Sequence, residues 1–443
     1  MLKSLKSNRV VLLAVLIFVG TVIRVLFTFN SSGPDILQFY AFARTFDEEK
    51  WCFYLYADVG KSYWPYNWEY CYPPLWLFYL FLIYKLSGIQ NVVIKVGEMY
   101  KVDIFWVTLV KLPLLISDII ITLLIARYFK DNRGLVFAAL WYLNPTVIYI
   151  SSIFGMFDQI VTLFILLAGV FYEKKNIFMT SLCSAIAILL KQYALFPIAF
   201  LILHSITWRR WKHALKLILV TTVILIIPFL PFIMLCGYSL ESLHKIINLV
   251  LLTRSSPYYP KPYCYNFNGI TSLLTWIHEN YNLETIIYFK FWFLIFIALL
   301  LPILYLLIKK KMDNIWIIMF CVYSCFIISL WRINYQYLIP LIALGLFSFL
   351  TEKNMKIRIP VIISSLYPAL WFFIFPVSFW FYFYISNPNL ELISILNIFS
   401  LRIVVNEVYI VYSIVFTGLL IITYLLLTSQ YYKMRCEVTQ VNF

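Results

Sequence analysis

Apolar runs of about 14 to 25 residues recur from one end of the chain to the other, separated by short polar linkers. A membrane-crossing helix needs about 20 such residues. The runs lack the in/out alternation of a barrel strand, and a backbone in hydrocarbon must satisfy its own hydrogen bonds, so helices are the structure they predict. Twelve spans follow from the pattern, at 10–29, 105–126, 135–150, 159–172, 177–190, 193–207, 214–236, 285–308, 315–331, 335–350, 359–383 and 408–428, with 11 to 13 as the range. Those at 159–172, 177–190 and 193–207 are short, which suits helices facing protein or a water-filled cavity. One further apolar run, 75–86, is too short to span and reads as an interfacial helix. The fold class expected is therefore all-α: one polytopic transmembrane bundle covering 1–443, with a long loop at 30–104 that contains interfacial helix, and a second large loop at 237–284.

Composition agrees: 63% of residues are hydrophobic, 12% are charged and the mean hydropathy is +0.87, whereas soluble domains carry about 25% charged residues. The net charge of +15 does not form a nucleic-acid-binding stripe, because 19 of the 35 Lys and Arg lie in the short linkers, at Lys3, Lys6, Arg9, Arg127, Lys130, Arg133, Lys174, Lys175, Arg209, Arg210, Lys212, Lys309, Lys310, Lys311, Lys353, Lys356, Arg358, Lys433 and Arg435. The positive-inside rule places those linkers and both termini in the cytoplasm, and the two long loops outside. The partner implied is the lipid bilayer, with no nucleic acid. The first run contains Arg24 and has no small-residue cleavage site, so it reads as a retained signal anchor.

Cys183, Cys321 and Cys325 fall within spans and read as core. Cys52 and Cys71 share the first outer loop, where an oxidising compartment would let them pair. The sequence has neither a CxxC pair nor a His cluster, which argues against structural zinc, and metal-independent chemistry is expected.

Ionisable residues at membrane depth are costly and so are candidates for function. Asp35 follows the first span in Gly33-Pro34-Asp35, among apolar and aromatic neighbours; a desolvated carboxylate there is a usable general base, or it simply caps the following helix. Asp158, in the turn Gly155-Met156-Phe157-Asp158, faces the same side, with the same two readings. Lys191 and Arg332 are cations at outer helix ends, against the charge bias. They suit an anionic ligand such as a phosphate, or alternatively an ion pair. Asp103, Lys111 and Asp118 read as a structural group in or beside the second span.

These pieces occur in an order that carries a resemblance: Gly-Pro-Asp-x4-Tyr after the first span, an aromatic loop ending in Tyr72-Pro73-Pro74-Leu75, Leu112-Pro113-x4-Asp118, Leu143-Asn144-Pro145, Gly155-x2-Asp158, Lys191-Gln192 and Tyr335-Gln336-Tyr337. Over most of the first 340 residues the chain resembles the GT-C superfamily of polyprenyl-phosphate-sugar-dependent glycosyltransferases, and within it the dolichyl-phosphate-hexose glucosyl- and mannosyltransferases. The resemblance implies transfer of glucose or mannose to a lipid-linked glycan acceptor, with inversion, at the extracytoplasmic face of an endoplasmic reticulum or prokaryotic plasma membrane. It implies Asp35 as base, no cofactor, phosphate contacts from Arg332 and Lys191, sugar stacking on Trp64, Trp68 and Tyr72, and substrate contacts from Asp158 and Gln336. Ile36 follows Asp35 where protein O-mannosyltransferases carry an Asp-Glu pair; Asp47-Glu48 is the competing acidic site. The rival class is a transporter or flippase for an anionic or lipid-linked solute, and a third reading is a non-catalytic subunit of a membrane complex.

Overall fold

The computed structural model describes residues 2–88, 92–96, 99–129, 132–207, 211–237, 239–253, 263–371, 391 and 406–433. Four of its helices are long and apolar enough to cross a bilayer, Asn8–Asn30, Ile104–Tyr128, Trp211–Met234 and Glu407–Lys433. A fifth crossing results if Asn132–Tyr142 and Pro145–Phe154, which meet at 48°, count as one bent span. The bend has a local cause. Pro145 has no N–H to continue the helix and disfavours helical geometry at the residue before it. Asn144 is accordingly extended, and its side chain caps the new turn by accepting from the Thr146 N–H. A wide π-type turn, Tyr149–Phe154, follows and ends on Gly155 at φ 81°.

Six further apolar helices are shorter: Pro74–Ser87, Ile177–Leu190, Gln192–Thr207, Trp292–Ile308, Ile315–Ser329 and Tyr335–Thr351. At about 1.5 Å per residue such helices fall short of a hydrocarbon layer of about 30 Å. Their position explains how they remain apolar. All 15 residues of Ile315–Ser329 are buried, as is the neighbouring Leu338–Ser348 stretch. A helix that is hydrophobic all round belongs at a centre. Around this centre, Asn8–Asn30 and Trp211–Met234 are only 17% buried over their apolar windows. They present Val10, Phe18, Leu26, Leu219, Val223 and Ile227 outward, as lipid-facing helices do.

Against the twelve spans expected, four helices, or five with the bent pair, are long and apolar enough to cross among the described residues; the other differences are local. The 75–86 run is helix Pro74–Ser87, started by Pro74 and stopped by left-handed Gly88. The first long loop also contains a small antiparallel hairpin, Val93–Val96 with Met99–Val102, within an otherwise helical fold. The expected span at 285–308 is split at Phe291, with Ile286–Lys290 before it and Trp292–Ile308 after. Of the expected span at 359–383, residues 372–383 lie outside the described residues.

The Cys52–Cys71 pairing that the sequence left open is not the one present: Cys52 is bridged to Cys236, 184 residues away, and Cys71 is fully buried outside the bridge. Aromatic packing sets this choice. Phe232, near the end of the Trp211–Met234 stretch, lies among Phe46, Trp51, Tyr54 and Phe78 of the first long loop, with ring centroids 5.0 to 5.9 Å apart. That packing delivers Cys236 to Cys52. Non-reducing peptide mass spectrometry is expected to find the 52–236 cross-linked pair, unchanged by Cys71→Ser and lost in Cys236→Ser; a 52–71 peptide would contradict the packing.

Candidate functional site

Between the first helix and Pro34–Glu49 the chain makes one tight passage. The Gly33 N–H donates to the Phe154 carbonyl at 3.1 Å. A Cβ on Gly33 would stand 2.5 Å from that same oxygen, so only glycine fits. Gly33→Ala is therefore expected to lower stability by about 1–3 kcal/mol through overpacking, seen as a drop in thermal midpoint in detergent. Gly418→Ala, where an added Cβ meets nothing within 4 Å, should be silent.

Beneath this passage the fully buried Lys111 ammonium donates to the carbonyls of Ser31 (2.6 Å) and Ser152 (2.7 Å), pinning both segments from below. Asp103 caps Ile104–Tyr128, and Asp118 pairs with Arg24 at 3.0 Å, so these three expected structural residues act through other partners than one another. Pro34 opens the next helix and Gly33 is its cap residue, with no side-chain cap. Asp35 thus does not fill the capping role; it sits half-buried in the first helical turn, on the wall of a cavity.

That cavity has a volume of about 400 Å³. Asp35, Trp68, Tyr72, Lys191, Arg332 and Gln336 line it, together with the apolar side chains of Leu195, Phe196, Leu251, Trp292, Phe326 and Leu330. Leu195 and Leu251 are 48% and 57% exposed, so the apolar side of the cavity is open there.

The two cations on the wall differ. Lys191 is held by Asp158 at 2.7 Å, and the other Asp158 oxygen accepts from Tyr193 at 2.7 Å. Both members of the ion pair are buried, with the ammonium 4.5 Å from the Phe157 ring centre. Asp158 therefore neither caps its helix nor joins Asp35 on the wall. Of the alternatives for Lys191, the ion pair is the one present. Arg332 is half-buried and, among the described residues, has no ion-pair partner. Its Nη1 is buried without a hydrogen-bond partner, as is Oε1 of Gln336. Each such group costs about 1–3 kcal/mol while unsatisfied, a cost that a polar ligand in the cavity removes.

The aromatic loop is divided between wall and core. Trp68 lies on the wall, stacked on Tyr66 at 4.4 Å, and Gln38 fixes both by donating to the Trp68 carbonyl and accepting from the Tyr66 N–H, each at 3.2 Å. Tyr72 packs edge-on to Phe157. Trp64 corrects the expectation of a stacking role: it is buried, its indole N–H donates to Thr45 at 2.9 Å, and it packs on Phe42 inside the loop.

The competing acidic pair lies elsewhere. Asp47 accepts from Lys50 at 2.6 Å and Lys85 at 2.7 Å, and Glu48 from Arg44 at 3.0 Å. Partial burial pushes the Asp47 carboxyl up, but the two ammoniums beside it outweigh that and hold it below the usual carboxylate range. A carboxylate so stabilised is a poor base.

Sequence reasoning named Gln192 within Lys191-Gln192 but gave it no role; its amide donates to the carbonyls of Cys71 (3.2 Å) and Val250 (2.9 Å) and so ties the two long loops together at the cavity. Sequence reasoning missed Asn266 and Asn268, which brace the segment carrying Arg332. Their signal is two carboxamides and a glycine, Asn266-Phe267-Asn268-Gly269, in an otherwise aromatic loop. Among the described residues no group of three or more His, Cys, Asp or Glu is placed to hold a metal ion. No protein-family profile matches the chain, and comparison with curated proteins finds no match.

Proposed function

We propose that this chain is a membrane hexosyltransferase that moves glucose or mannose from a polyprenyl- or dolichyl-phosphate sugar to a lipid-linked glycan acceptor on the extracytoplasmic face. The observation that carries this reading is the shared cavity, with the Asp35 carboxylate and the Arg332 guanidinium on one wall and an open apolar side. The chain's likeness in motif order to the GT-C superfamily supports it. So does the scale of the cavity, which suits a sugar and a phosphate and leaves the lipid tail to the hydrocarbon.

In this reading the bundle has about 12 spans with both termini cytoplasmic, in an endoplasmic reticulum or prokaryotic plasma membrane. The Cys52–Cys236 bridge joins the first long loop to the start of the second, and disulfides persist on the oxidising side of a membrane, which supports placing both loops outside. Asp35 accepts the proton of the acceptor hydroxyl. The hydroxyl oxygen attacks the anomeric carbon as the bond from that carbon to the phosphate oxygen breaks. One displacement inverts the configuration, and the lipid phosphate departs with the bonding pair. Arg332 offers that phosphate charge-assisted hydrogen bonds. Lys191, held by Asp158, shapes the wall, and Trp68 and Tyr72 offer faces to sugar rings. The carboxylate and the guanidinium perform these roles without a cofactor.

Reconstituted protein should transfer radiolabelled hexose from one of two donors, polyprenyl-phosphate glucose or polyprenyl-phosphate mannose, to a pool of lipid-linked glycans. Donor movement across the vesicle membrane with no new glycosidic bond would replace the enzyme with the transporter reading.

A further inference from the structure

The helix Ile315–Ser329 stops at Leu330, which turns extended at ψ 130°. The chain then runs to Asn334 without regular structure, although Trp331 and Ile333 are buried at 1% and 0% exposure. Irregular backbone inside a bundle needs partners for its carbonyls and N–H groups. They come from 266–268. Asn268 donates to the carbonyls of Ile328 at 2.8 Å and Leu330 at 2.9 Å, satisfying the open helix end. The Phe267 N–H donates to the Ile333 carbonyl at 2.9 Å. The Asn266 side-chain oxygen accepts from the Ile333 N–H at 3.2 Å, while its amide faces the Trp331 carbonyl at 3.4 Å. The residues on both sides of Arg332 are thus gripped.

The gripping segment is itself fixed. The Asn268 oxygen caps Gly269–Tyr281, accepting from Ile270 and Thr271 at 3.0 and 3.2 Å. The Gly269 N–H donates to Thr417 at 2.8 Å, and a Cβ there would fall 2.5 Å from the Ile414 backbone. Ser272 exchanges hydrogen bonds with the Asn266 backbone at 3.0 and 2.6 Å.

We infer that Asn266 and Asn268 are positioning residues for Arg332: they hold the guanidinium on the cavity wall in the geometry that receives the phosphate of a lipid-linked substrate. This rests on the reading of Arg332 as the phosphate contact.

The test needs no catalysis. Binding of polyprenyl monophosphate, and of the uncharged polyprenol as reference, is measured by native mass spectrometry on wild type, Arg332→Ala, Asn266→Ala, Asn268→Asp and Arg332→Ala/Asn266→Ala. Asn268→Asp keeps the capping oxygen and replaces the amide donors with a carboxylate oxygen that repels the two carbonyls they held. The expected result is a loss of at least about tenfold in phosphate-lipid affinity for Arg332→Ala and for each Asn variant. Polyprenol binding should not change, and the double variant should lose no more than Arg332→Ala alone. Full affinity in both Asn variants, an additive double variant, or an equal loss of polyprenol binding overturns the positioning role. An Arg332→Ala protein that binds the phosphate lipid normally overturns the phosphate reading and the inference together.

Discussion

Asp35→Asn should lower hexose transfer by about 10²–10⁴-fold, the range associated with loss of a positioned general base, while leaving the thermal midpoint near that of wild type. The substitution keeps the shape of the side chain. It removes the ability to take up the acceptor proton, and Asp35 is not the cap of the helix it begins. The loss should appear in the rate at saturating donor and acceptor, with donor KM little changed, since binding of the phosphate rests on Arg332. Two companion variants sharpen the result. Asp47→Asn should retain activity, because that carboxylate serves Lys50 and Lys85. Asp158→Asn should lose stability, because it leaves the buried Lys191 charge without its partner. Full activity in Asp35→Asn together with loss in Asp47→Asn would move the base to the acidic turn.

The second large effect is on folding. Asp118→Leu should destabilise the bundle by about 3–5 kcal/mol, the cost of stranding one member of a buried ion pair. Its partner Arg24 is fully buried in the first helix. Besides the pair, Arg24 donates to the Tyr142 carbonyl at 2.7 Å and lies 4.0 Å from the centre of the Tyr142 ring. Tyr142 ends the helix before the Asn144-Pro145 break, so Arg24 satisfies a carbonyl that the break leaves open. One guanidinium therefore joins Asn8–Asn30, Ile104–Tyr128 and the bent pair. Unfolding in mixed micelles should show the loss in Asp118→Leu and in Arg24→Leu. The double variant should recover a substantial part of it, because it contains no unpaired charge. Equal destabilisation of single and double variants would mean that packing volume, not charge pairing, dominates at this point.

The apolar pattern was enough to locate the helices Asn8–Asn30, Ile104–Tyr128, Trp211–Met234 and Glu407–Lys433, and the shorter Pro74–Ser87, because burial in lipid or protein follows from side-chain chemistry along the chain. Asp35, Lys191 and Arg332 stood out as charges against that pattern, and the resemblance added Trp68, Tyr72 and Gln336; the fold brings all six to one cavity. Partners were the illegible part. Arg24 meets Asp118 across 94 residues and Lys191 meets Asp158 across 33. Which helix faces which depends on packing between elements, and periodicity within an element contains no record of it. Trp64 and Trp68 make the same point at short range. They share one loop and one residue type, yet Thr45 draws the first indole inside while Gln38 holds the second at the wall. The sequence reading runs one span, 135–150, straight through Asn144-Pro145; the break there, the wide turn after it and the dependence of Gly33 on the Phe154 carbonyl needed the neighbouring chain in place.

The bridge between Cys52 and Cys236 also bears on how the chain is made. Translation releases about 5–20 residues per second, so with 184 residues between them the first cysteine precedes its partner by roughly 10–40 s. During that interval Cys71, only 19 positions further along, is the nearer thiol in the same loop. Its complete burial beside the aromatic core of the loop removes it from competition once that core has closed. A first loop that closes around Tyr70 and Phe53 before the later stretch arrives would guard the correct cross-link.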